Sequence, residues 1–205
     1  MHTRGFTLIE LMVSVTIFII VMVISLGSLL SISTAERKAE SLKVIMNNLH
    51  FGLESMSRSV RTGITYHCGT TGVIDTPNDC GNTGNPYPAQ NYFAFEAVGG
   101  NINSSGDQVV YYLETNPATC DQTGTGGCIM RSVASGGNPL PITAPEVVIT
   151  SLMFYVIGSA AEFQNDSTHS QPKVVITLTG QVVAGTAPST KFSLQTSVTQ
   201  RLYDQ

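Results

Sequence analysis

Among the side chains of this 205-residue chain that are able to do chemistry, Glu10 has the most unusual setting. It is the only ionisable group in residues 6–30, a run of Phe, Leu, Ile, Val and Met with scattered Ser, Thr and Gly. An acidic side chain inside a membrane-length apolar stretch costs about 2.5–3.5 kcal/mol on insertion scales, so it calls for a partner or a function. The plainer alternative is a carboxylate close enough to the start of the run to reach lipid headgroups. The four cysteines form two local pairs, Cys68/Cys80 and Cys120/Cys128, each in a polar, Gly-rich setting. Neither pair is C-x-x-C, and His67 is the one histidine beside them, which disfavours zinc. No G-x-S-x-G, H-E-x-x-H or P-loop is present, and His50, His67 and His169 suggest no triad, so the reading is not an enzyme. The sequons at Asn103 and Asn165 are too common a pattern to count.

Composition narrows the class. Hydrophobic residues make up 42% and charged residues 12%, with a net charge of −4, which excludes a basic nucleic-acid-binding domain. Arg58, Arg61 and Arg131 are too few for a DNA track. A single long apolar run excludes a polytopic transporter, and the apolar strand-like runs that follow it exclude disorder throughout.

Residues 6–30 would form a helix of roughly 37 Å, enough to cross a bilayer with some tilt. The run is too long for the core of an ordinary secretory signal. Arg4 precedes it, whereas Glu36 and Glu40 mix with Arg37 and Lys38 behind it, favouring an N-terminus inside and the remainder outside. On an extracytoplasmic segment, disulfides Cys68–Cys80 and Cys120–Cys128 are the expected pairing of the three connectivities that four cysteines allow.

The first proline is Pro77, so nothing forces an early helix stop. Leu42, Ile45, Met46, Leu49, Leu53, Met56 and Val60 recur mostly three or four residues apart, extending the helix as an amphipathic one. Gly63 is the expected stop, following Arg58 and Arg61. One helix from Phe6 to about Arg61 would be roughly 84 Å long, with a greasy stripe on its second half that needs a sheet over it. Beyond Gly63, strands are expected at 92–97, 108–113, 128–133, 146–157, 173–183 and 191–202, separated by Gly, Pro, Ser and Asn. Val174, Ile176 and Leu178 share one strand face, as do Phe192, Leu194, Thr196 and Val198. Without helical patterns between the strands, the fold class is α+β, a long N-terminal helix on an antiparallel sheet.

The segment Gly5-Phe6-Thr7-Leu8-Ile9-Glu10-Leu11-Met12-Val13-Ser14 resembles the prepilin signature of type IV pilins and type II secretion pseudopilins. The resemblance implies cleavage after Gly5 by a prepilin peptidase and N-methylation of Phe6. It places Glu10 fifth in the mature chain, where the family's acid pairs with the N-terminal amine of a neighbouring subunit, here that of Phe6. It divides the chain into a leader (1–5), a transmembrane helix (6–30), its amphipathic continuation (31–62) and an extracytoplasmic head (63–205). Gly27 lies where major pilins often carry a helix-breaking proline. Phe51-x-Leu53-Glu54, Arg58-x-x-Arg61 and the terminal strand 196–203 look most like the J-type minor pseudopilins.

The expected function is therefore a minor pilin or pseudopilin, held first in the inner membrane and then in the filament. Its implied partners are other pilin subunits, the prepilin peptidase and the inner-membrane assembly platform, with nucleic acid not expected as a direct ligand. The rivals are a major pilin of the shaft and a membrane-anchored binding or enzymatic domain. No cofactor is expected, although some pseudopilins bind calcium, for which Asp75, Asp79 and Asp121 are candidates without EF-hand spacing.

Overall fold

A computed structural model describes residues 5–69, 77–81, 89–101, 104, 106–120, 126–159, 171–182 and 190–201, without the side chains of Ser41 and Val44. The chain divides into two compact units, residues 1–43 and 44–205. Helix α1, Leu8–Thr62, runs from the first unit into the second.

In the N-terminal unit the described residues are helical from Leu8 onward, including Gly27. Among the described residues, this part holds the one helix window long and apolar enough to cross a membrane, and none of that window is buried. Several of its hydroxyls bond back onto the helix. Ser14 donates to the Leu11 carbonyl at 3.0 Å, Thr16 to that of Met12 at 2.8 Å and Ser25 to that of Val21 at 2.8 Å. Such back-bonding lets a Ser or Thr enter an apolar medium with its hydrogen bond already made.

In the second unit α1 buries Ile45, Leu49, Met56 and Val60, spaced so that they share one face. Gly52 lies on the same face, where a Cβ would meet the Ile142 carbonyl oxygen at 3.2 Å. The opposite face is wet, with Phe51 76% exposed. The helix ends where the Gly63 amide bonds the Val60 carbonyl at 3.0 Å. A Cβ on Gly63 would collide with the Phe95 ring, so the close approach of helix end and sheet requires glycine here.

The head carries two antiparallel sheets where the sequence suggests one. The first has the order β1 (Ile64–Cys68), β2 (Tyr92–Glu96), β3 (Val109–Glu114), β4 (Cys128–Ser132) and β5 (Leu140–Pro141). The second has the order β6 (Val147–Ile157), β7 (Lys173–Val182) and β8 (Thr190–Thr199). Across the second sheet, Leu152, Leu178 and Leu194 form one rung and Val156, Val174 and Val198 another. The six strands expected from the sequence correspond to β2, β3, β4, β6, β7 and β8. Strand β1 escapes a pattern search because it follows the helix with only Gly63 between, and Thr65 sits at a φ of 55° where the register slips. The two-residue β5 is too short to carry any periodicity.

A train of buried aromatic rings unites the sheets. Tyr66 meets Phe93 edge-on at 5.6 Å, Phe95 stacks on Phe93 at 5.5 Å, and Phe154 of β6 stacks on Phe93 at 5.3 Å. The Tyr66 hydroxyl donates to the Val60 carbonyl at 2.5 Å, tying β1 to the last turn of α1. The Arg201 amide, beyond β8, donates to the Arg61 carbonyl at 2.8 Å. The chain's first and last head elements therefore close on the same helix end.

Met56→Ala is expected to lower unfolding stability by about 2–5 kcal/mol, and Gly63→Ala by about 1–3 kcal/mol through overpacking against Phe95. Phe51→Ala should stay within about 0.5 kcal/mol of the parent. Denaturant unfolding of the full chain in detergent, followed by near-ultraviolet circular dichroism, checks all three.

Candidate functional site

The N-terminal segment acquires its geometry from Thr7. Its side-chain oxygen accepts the Glu10 amide at 3.4 Å, and its carbonyl accepts the Leu11 amide at 3.2 Å. Thr7 is thus the N-cap, and Glu10 is the third helical residue, an acid in the first turn where the helix dipole favours negative charge. Thr7-x-x-Glu10 is a capping-box spacing, a signal present in the sequence and overlooked when Glu10 is read only as an acid in an apolar run.

Gly5 and Phe6 lie outside the helix, before the cap. Phe6 is 83% exposed, and a Cβ on Gly5 would meet no atom within 4 Å. The peptide between them is an open, non-helical bond beside a residue without a side chain, the local form in which a protease can take up a backbone. The Glu10 carboxylate is exposed and has no side-chain partner among the described residues. Its situation differs from that of Ser14 and Thr16 on the same helix, whose polar atoms are satisfied internally.

In the head the cysteines are joined as Cys68–Cys80, with Cα atoms 5.9 Å apart, and Cys120–Cys128, 5.6 Å apart. The first links β1 to a short segment that also pairs with β6, where Cys80 and Val156 exchange both main-chain hydrogen bonds at 3.0 and 3.1 Å. It fastens one sheet to the other. The second closes the connection between β3 and β4, and Met130 packs beside its sulfurs.

The remaining candidates have structural duties. Of the three aspartates considered for calcium, Asp75 and Asp121 lie outside the described residues. Asp79 is already engaged, accepting the Gly158 and Ser159 amides at 2.8 Å each and the Ser159 hydroxyl at 2.5 Å. That carboxylate shapes the end of β6. His67 is half-buried in β1 beside a cysteine whose sulfur is bonded to another, and His50 is exposed on α1. His169, Asn103 and Asn165 lie outside the described residues. Arg58 bonds Glu54 at 2.9 Å on the exposed helix face, and this contact holds the Glu54 carboxyl below its ordinary value. The pair supports the helix locally. Arg131 is half-buried on β4.

Comparison with known proteins locates the recognisable part of the chain at the same end. Residues 1–26 match the family model described as the prokaryotic N-terminal methylation motif. No curated protein and no solved structure matches the chain. The motif, leading into an apolar helix and an α+β head, supports assignment of this chain to the type IV pilin and pseudopilin family, whose members are processed by prepilin peptidase.

Proposed function

We propose that the protein is a minor pilin or pseudopilin, a structural subunit cleaved after Gly5, methylated on Phe6 and built into a filament through its N-terminal helix. The observation that carries this reading is the Glu10 carboxylate, exposed on an apolar, membrane-length helix with no side-chain partner among the described residues. In a bundle of such helices a carboxylate is tolerable only when paired, and removing one member of a buried pair costs about 3–5 kcal/mol. The free amine of Phe6 in a neighbouring copy is a cation of suitable reach, because cleavage creates it four residues from Glu10. Pairing of that kind fixes axial register between subunits, the best-attested use of a buried ion pair.

Before assembly the helix spans the inner membrane once, with residues 63–205 on the extracytoplasmic side. The two disulfides support that side, since such bonds persist in oxidising compartments. An assembly platform then exchanges lipid contacts for helix–helix contacts as the subunit enters the fibre. The head, with its covered core, caps, initiates or decorates the filament. A minor role follows the likeness of the helix end and terminal strand to J-type subunits; high abundance in sheared filaments would instead indicate the shaft.

Intact mass and N-terminal sequencing of the protein from its native membrane should give a chain beginning at N-methylated Phe6. A chain beginning at Met1 would overturn the processing step and make an anchored domain the better reading. Glu10→Ala should leave cleavage unchanged and lower recovery in sheared filaments by about 100-fold, the equivalent of the lower end of that ion-pair cost. Normal incorporation of this variant would remove the assigned role of the carboxylate.

A further inference from the structure

Among the described residues that follow α1, the large hydrophobic side chains left exposed are Val98, Val133 and Leu140, and the last two stand on one hairpin. They flank the turn from β4 to β5, which is held by its own hydrogen bonds. The Ser132 hydroxyl oxygen accepts the Ala134 and Gly136 amides at 3.1 and 3.0 Å, and the same hydroxyl donates to the Gly137 carbonyl. The Ser135 amide reaches the Gln108 carbonyl at 3.0 Å. Ser135 and Asn138 take φ of 51° and 48°, a conformation that persists only where the surroundings impose it. A turn fixed in this way loses little freedom on binding. Arg131 lies directly opposite Leu140 across the β4–β5 pair, so the two share a face. Its Nε is buried without a partner, and its guanidinium makes no hydrogen bond or ion pair among the described residues.

A groove of about 400 Å³ lies between α1 and β8, the edge strand of the second sheet. Met46, Leu53 and Leu194 give it an apolar lining, and His50, Glu54 and Ser57 add polar groups. Cover is incomplete here: Leu194 and Thr196 are half-buried, whereas their neighbours Leu178 and Ile176 on β7 are fully buried. Glu54 gives one carboxylate oxygen to Arg58, and the other accepts no hydrogen bond among the described residues. Hairpin and groove flank the helix on different sides. Gly52 faces Ile142, just after β5, while His50, Leu53 and Ser57 lie past the opposite border of the buried stripe.

We propose that the β4–β5 hairpin of one copy docks in the α1–β8 groove of a second copy. Leu140 and Val133 enter among Met46, Leu53 and Leu194, and Arg131 meets the open oxygen of Glu54. The occupant is a second copy because one chain carries both halves of the match: an apolar knob with an unpaired cation, and an apolar groove with an available carboxylate. Apolar burial supplies the affinity, and the ion pair sets orientation. The two surfaces differ and lie on opposite flanks, so the contact is heterologous. Each added copy leaves one knob and one groove unused, which extends a row of heads instead of closing a dimer. This inference deepens the filament reading, on which its setting rests, by naming a second copy as a partner of the head.

The test is thiol cross-linking of the full chain in detergent with a short bismaleimide. No native cysteine is free among the described residues, and all four lie in the two disulfides. Val133→Cys and Ser57→Cys chains are treated separately and after mixing. Dimers are expected only in the mixture, and a ladder of oligomers from a chain carrying both substitutions. Adding Leu140→Asp to the Val133→Cys chain should lower the mixed yield about tenfold. Arg131→Glu should also lower it, and Glu54→Arg in the other chain should restore it, which a merely structural role for either residue would not produce. Near-ultraviolet circular dichroism checks that each variant is folded. Dimers from either single variant alone, none on mixing, or a yield indifferent to Leu140→Asp would overturn the proposal, the last because it indicates association through the apolar helix. Cross-linking in detergent does not depend on cleavage, so a chain found to begin at Met1 would remove the processing step and leave this result readable.

Discussion

Ile45, Leu49, Met56 and Val60 recur along α1 at intervals that keep them on one face, and the arrangement of the head follows from the need to bury that face. Fully burying each such side chain contributes about 1.5–3 kcal/mol, but only if a surface of matching length is laid over the helix. The chain supplies it with strands joined at both ends to the helix terminus. Tyr66 of β1 bonds the Val60 carbonyl, and the residue after Gln200 bonds the Arg61 carbonyl. The aromatic train from Tyr66 through Phe93 to Phe154 then joins the two sheets into one core, and the Cys68–Cys80 bridge reinforces the same seam. Gly63 marks where the Phe95 ring approaches too closely for a side chain, and at Gly52 a Cβ would sit tightly, 3.2 Å from the Ile142 carbonyl oxygen.

Much of this was legible in the sequence because its signals are periodic. The stripe on α1 has helical spacing, and Val174-x-Ile176-x-Leu178 has the two-residue repeat of a strand with one buried face. Strand β1 carries no such repeat: Thr65 departs from the extended conformation, and the strand is anchored by neighbours distant in sequence. The division into two sheets is likewise a tertiary fact: β6 pairs with β7 along one edge, and along the other it meets Cys80, Gln90 and Gly127 only through isolated bridges. Thr7 is legible too, since its spacing from Glu10 is that of a capping box, although an acid in an apolar run is the stronger signal at that position. Glu96 was not within reach. Nothing in Phe95-Glu96-Ala97 distinguishes a buried acid from a solvated strand end until the turn is folded over it.

The apolar part of α1 follows a different rule from its continuation. Its membrane-length window is unburied among the described residues, and the hydroxyls of Ser14, Thr16 and Ser25 are turned back onto the helix's own carbonyls. Ser14, Thr16 and Ser25 would therefore enter lipid, or a bundle of similar helices, with a hydrogen bond already made. Glu10 is the exception among these polar groups, and the N-cap at Thr7 holds it in the first turn. The cap therefore positions the carboxylate while leaving its oxygens free, which an internal salt bridge would not do.

The acids of this chain show how burial decides what a carboxylate needs. Glu54 is exposed and pairs with Arg58 on the next turn, a contact that water would otherwise replace at little cost. Asp79 sits at the end of a strand and is satisfied by local amides, so it requires no further charge. Glu96 has lost water without gaining a hydrogen-bond donor among the described residues, and burial pushes its carboxyl above the ordinary value. Glu10 is open, and its shortage of a partner appears only when the surrounding medium becomes apolar. A carboxylate buried in the head concerns that molecule alone, whereas a carboxylate left open on an apolar helix can be neutralised by a neighbour, and only the latter arrangement makes pairing a property of assembly.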